Sequence, residues 1–130
     1  SQGARIYLDL GIKCDEADLA DGDVVVVGAI CPVAATLKEV WVGMDVLPTT
    51  GTLAVAKSGS TDANLLTAAT VDLAADIVAY VGSSQTITAG TQEREIAAGS
   101  IIKATWTLTD ITVTDDAICS CIVVLEPELW

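Results

Sequence analysis

The densest run of reactive groups is residues 14–23, CDEADLADGD, where five of ten side chains are carboxylates, directly ahead of the apolar run VVVVGAI. Carboxylates at Asp15, Asp18, Asp21 and Asp23 offer the oxygen ligands that calcium takes. The EF-hand pattern is not met: with Gly22 at its sixth position, Ala17 and Leu19 stand where the first two ligands belong. That leaves a looser cation site or the reading the sequence favours, a hydrated acidic approach whose charge keeps VVVVGAI from pairing with another chain.

The four cysteines stand at 14, 31, 119 and 121, and the chain has no histidine. Structural zinc sites offer two pairs of ligands, each pair two to four residues apart, a spacing these cysteines do not follow. Thiols packed as small apolar groups are the expectation, with a Cys14–Cys31 bridge as the alternative. Nucleophilic hydrolysis by a Ser-His or Cys-His arrangement lacks its base. Glu93 with Glu95, and Asp115 with Asp116, have the charge for glycoside hydrolysis but fall in predicted turns without an aromatic platform. KSGSTD at 57–62 lacks the spacing of a phosphate loop. Neither enzymatic activity nor a cofactor is expected.

Composition narrows the partners. Six basic against eighteen acidic residues give a net charge of −12, which opposes binding to nucleic acid or to an anionic membrane. No apolar stretch has the eighteen or so residues of a membrane span, and SQGARIYLDL lacks the apolar segment of a signal peptide. A protein made in the cytosol is the expectation. At 130 residues one domain spanning 1–130 is predicted. Its core must be filled by Val, Ile, Leu and Ala, because Phe is absent and aromatics make up only 4%.

The positioning elements read as strands. RIYLDL alternates Ile6, Leu8 and Leu10 on one face, and VVVVGAI has the continuous apolar character of a strand buried on both faces. TLKEVWVGMDV places Lys38, Val40, Val42, Met44 and Val46 on its inward face. Pro48 and Gly51 bracket a turn into TLAVAK, forming a hairpin. A short helix is predicted at 73–80, QTIT and REIAAG read as short edge strands, and IIKATWTLTDITV and AICSCIVVLEPEL read as two long strands around an acidic turn at 114–116. Cys119 and Cys121, two apart, face one side, the core. Seven to nine strands at roughly ten-residue spacing predict a sandwich or barrel. Trp41 and Trp106 are candidates to cap the end of the sandwich or to anchor an interface. Leu129 and Trp130, at the chain end, are candidates to dock onto a neighbour.

The segments CPVAATLKEVWVGMDVLPTTGTLAVAKSGS, NLLTAATVDL, EIAAGSIIKATWTLTD and AICSCIVVL, over residues 31–125, together resemble small β-sandwich proteins of tailed-phage virions. These are the jelly-roll capsid decoration, head-fibre or cement proteins. The chain departs from their pattern at Ala54, Ala56 and Lys57, where acidic or amide residues are more usual. The resemblance implies an all-β, antiparallel, jelly-roll-like sandwich that forms a homotrimer on the capsid exterior and binds the major capsid protein of a phage. It implies synthesis in the host cytoplasm, and contacts to capsid or sister subunits from the N-terminal residues 1–30. A receptor- or carbohydrate-binding module of a virion fibre or tail is the alternative, and a calcium-dependent adhesion domain a third reading.

Overall fold

A computed structural model describes residues 4–14, 23–109 and 117–128, with the side chains of Cys14, Asp23 and Thr109 left undescribed. Two antiparallel sheets make up nearly all of it. In the first, β1 (Ile6–Asp9) and β2 (Ile12–Cys14) pair with β11 (Ala117–Pro127), β11 pairs with β4 (Ala35–Met44), and β4 pairs with β8 (Ser83–Ser84) and β9 (Glu95–Ile96). In the second, β3 (Asp23–Ile30) pairs with β10 (Ile101–Thr109), β10 with β5 (Thr50–Lys57), and β5 with β6 (Ala63–Asn64) and β7 (Val71–Asp72).

The pairs β1/β2, β6/β7 and β8/β9 are each one interrupted strand, because both halves bond to the same neighbour. The eleven short strands therefore fill eight positions. Successive positions switch sheets except at β5 to β6, which is a jelly-roll order, the form of sandwich that the resemblance implies. The β1/β2 interruption has a local cause. A Cβ on Gly11 would stand 2.7 Å from the Cys119 carbonyl oxygen, so only glycine lets the chain pass β11 there.

The inward faces interlock in one core containing Leu37, Val40, Val42, Met44, Leu53, Val55, Ile102, Ala104, Trp106, Leu108, Cys119, Cys121 and Val123. No polar or charged side chain is buried among the described residues. Chain alternation explains most of this, with one exception on β4. The register pairs Val124 with Glu39 but Leu125 with Leu37, so Lys38 is the extra residue of a β-bulge. The bulge resets the alternation. Val40, Val42 and Met44 face inward as predicted, Ala35 and Leu37 join them from the other side of the bulge, and Lys38, placed inward by the sequence pattern, is exposed and 4.0 Å from Glu126.

Two more expectations are corrected. Residues 73–80 form turns, and the one described helix is α1 (Thr91–Arg94), a single turn closed by Arg94 N–H donating to the Gly90 carbonyl at 3.2 Å. At 73–80 the Asp72 carboxylate accepts the N–H groups of Ala74 and Ala75 at 3.0 and 3.1 Å, an Asx-type turn that competes with helix propagation. Tyr80 then takes a left-handed φ of 67°, which ends any right-handed helix. The second correction is VVVVGAI. As β3 it lies at a sheet edge, with Val25, Val27 and Ala29 packed against the core and Val24, Val26 and Ile30 exposed. Its other face is not covered by described residues.

Candidate interaction surfaces

Exposed large apolar side chains fall mostly into two patches on opposite sides of the sandwich. One lies on the outer face of the β4–β11 sheet and comprises Trp41, Tyr80, Val81 and Ile118. The other lies on the outer face of the β3–β10 sheet and comprises Val24, Val26, Ile30 and Ile101. Alternation along the strands places Trp41, Ile118 and the second patch outward, since residues flanking inward positions must point outward, whereas Tyr80 and Val81 come from the turn that follows residue 77.

The first patch borders a groove of about 330 Å³. Trp41 of β4 and Tyr80 form parts of its walls, Ile118 and Ile122 of β11 line it as well, and Asp45 is among its few polar groups. Its backbone is bare at two glycines that approach closely. A Cβ on Gly43 would meet the Gly82 Cα at 3.3 Å. Asp45 Oδ1 accepts the N–H groups of Val46 and Ile118, both at 2.8 Å, and so ties the end of β4 to the start of β11. Tyr80 is placed by its backbone. Its N–H donates to the Met44 carbonyl at 2.9 Å while φ stays positive, and the residue is left 83% exposed.

A left-handed conformation costs a non-glycine residue roughly 1–3 kcal/mol, and here no burial of the ring offsets it. Tyr80→Gly is accordingly expected to unfold within about 1 kcal/mol of the wild type, because relief of strain opposes the added freedom of the unfolded chain. Chemical denaturation checks this. A larger loss of stability would mean that the ring is packed in solution.

The second patch is nearly uncharged. On β10 the outward positions opposite β3 are Ile101, Lys103, Thr105 and Thr107. The charge among them is Lys103, whose ammonium bonds Asp62 at 2.6 Å and holds that exposed carboxyl below the usual carboxylate range. β5 continues the face with Ala54 and Thr52, opposite Thr105 and Thr107.

The predicted site residues separate. Trp41 is 42% exposed and borders the groove. Trp106, an interface candidate by sequence, is instead fully buried in the core, with its indole N–H donating to the Leu10 carbonyl at 3.0 Å. It is therefore not available to a partner. Asp15, Asp18 and Asp21, and Leu129 and Trp130, lie outside the described residues, and only the backbone of Asp23 is described. Among the described residues no three His, Cys, Asp or Glu side chains are grouped to hold a metal ion. Cys31 and Cys121 are buried free thiols and Cys119 is buried beside them in the core, so Cys31 is not bridged to Cys14. Tyr80 was missed by sequence reading, because only a backbone angle and a neighbouring strand bring it beside Trp41.

No known protein family matches the chain, and no curated protein matches it. Among solved structures, the chain is similar to a chain in the structure of infectious bursal disease virus, Gx strain, at 12% identity and a TM-score of 0.41. The likeness covers 94% of this chain and 31% of that one, so this chain spans about a third of its length.

Proposed function

We propose that the protein is a structural component of a virion, one that decorates and stabilises a phage capsid as a homotrimer. The observation that carries this reading is the pair of apolar patches on opposite sheets of one strongly acidic sandwich. A body with two such faces is built to bridge. One face is open to a neighbour in the shell, and the other, the Trp41–Tyr80 groove, serves the major capsid protein. High negative charge keeps free copies apart and away from packaged nucleic acid before assembly.

A second reading is favoured by the groove itself, whose Trp and Tyr walls suit a receptor- or carbohydrate-binding module of a fibre or tail. Light scattering and sedimentation of the protein, alone and with phage capsids, separate the two. The decoration reading expects a trimer that sediments with capsids and loses capsid binding by tenfold or more in Trp41→Ala. A protein that ignores capsids, and whose melting temperature rises with a glycan, would overturn it in favour of the module.

A further inference from the structure

We propose that β3 pairs edge to edge with the β3 strand of a second copy, antiparallel and across a two-fold axis, joining two five-stranded sheets into one. This contact is additional to the three-fold association above. It rests on the reading that copies of the protein assemble with one another.

The four sheet edges are not alike. β1 and β2 are four and three residues long, interrupted at Leu10–Gly11, and carry Asp9 and Lys13. The edges formed by β6/β7 and by β8/β9 consist of two-residue strands. Short, broken or charged edges are how proteins prevent strand addition. β3 is different. It runs eight residues without interruption, and beyond Asp23 it has no charged residue and no proline. Among the described residues it pairs only with β10. Among the described residues its second edge thus presents alternate N–H and C=O groups along a strand uncharged beyond Asp23. The proposed pairing runs against the expectation that the acidic run at 14–23 shields this strand from another chain.

Charge selects the occupant. In a chain of net charge −12, two copies that meet over most of the surface set carboxylates against carboxylates. At β3, beyond Asp23 at its first position, they set valine against valine, and Lys103 on the adjoining strand is already paired with Asp62. A two-fold axis perpendicular to the sheet also keeps the exposed faces together, so Val24, Val26 and Ile30 of one copy lie beside those of the other. Val24, Val26, Ile30 and Ile101 are 47–62% exposed. They form an apolar patch on the order of a few hundred Å². That is less than the roughly 800 Å² per partner of a standard-size interface, so the pairing is expected to depend on concentration.

Sedimentation velocity over a concentration series tests this. The wild type is expected to double the mass of its basal species as concentration rises. Val26→Glu, at a side chain 58% exposed, should shift the midpoint of doubling at least tenfold upward while leaving the circular dichroism and the basal species unchanged. Val26→Lys should do the same, and an equimolar mixture of the two variants should restore doubling. On the wild type alone, hydrogen exchange across 23–30 should slow as doubling proceeds. The absence of doubling, doubling indifferent to both substitutions, open-ended fibres, or unchanged exchange at β3 would each overturn the pairing. A basal species that is not a trimer would count against the homotrimer while leaving the β3 contact standing.

Discussion

Trp106→Ala is expected to lower the free energy of unfolding by about 3–5 kcal/mol, the range for truncating a fully buried large aromatic. Trp106 sits on β10 between the sheets at 0% exposure, and its indole N–H donates to the Leu10 carbonyl at 3.0 Å where β1 gives way to β2. Truncation opens a cavity at the middle of the core and removes that carbonyl's donor, which adds to the loss. Against a total stability of roughly 5–15 kcal/mol for a domain of this kind, the variant retains little margin. Trp106→Phe separates the two contributions, since it keeps most of the buried surface and loses the hydrogen bond, at a cost of about 1–3 kcal/mol. Guanidinium unfolding measures both. A Trp106→Ala loss no larger than that of the half-exposed Trp41→Ala would show that the sheets do not close over this ring.

Alkaline pH should weaken the fold in a defined window. Burial, aided by the nearby negative charge of Asp9, pushes the Cys121 thiol from the ordinary value of 9.0 up to about 12, and burial pushes Cys31 upward as well. In the unfolded chain these thiols ionise near 9, while in the folded protein Cys121 stays neutral until about 12. A raised folded value stabilises the protein fully below the unfolded value, and that contribution is lost as pH climbs toward the folded one. Between about pH 9 and 12, Cys121 alone is expected to remove roughly 1.4 kcal/mol per pH unit. Urea unfolding at pH 8, 10 and 11, compared with Cys121→Val, measures the slope. An identical slope in the variant would mean that the thiol is solvated in the native state.

The two thiols of AICSCIVVL show how far strand periodicity reaches. Residues two apart on a strand share a face, and Cys119 and Cys121 are both buried as that rule requires. The same rule placed Ile6 and Leu8 against the core, and set Val40, Val42 and Met44 inward. It failed at Lys38, because a single extra residue opposite Val124 and Leu125 inverts the alternation, and pairing register is a property of two strands together. It failed again at VVVVGAI. A run of apolar residues is the same in a central strand and in an edge strand with one face open, and only the neighbours decide which it is.

The interaction surfaces divide along the same line. The outward position of Trp41 was legible because its flanking residues Val40 and Val42 point inward. Trp106 was misplaced because its neighbours on alternate positions did not reveal that two sheets close over it. Tyr80 carried no signal, since its exposure beside Trp41 follows from a left-handed turn and a hydrogen bond to Met44, 36 positions earlier in the chain.

Composition and alternation by themselves determined that the chain is an acidic, all-β sandwich with a core of small aliphatic side chains, because side-chain volume, charge and a period of two act residue by residue. Which strand ends at an open edge, which tryptophan is enclosed and which aromatic rings flank one groove were decided only by tertiary structure. Each of these depends on contacts between segments far apart in the chain, whose energies are settled when the sheets pair and stack.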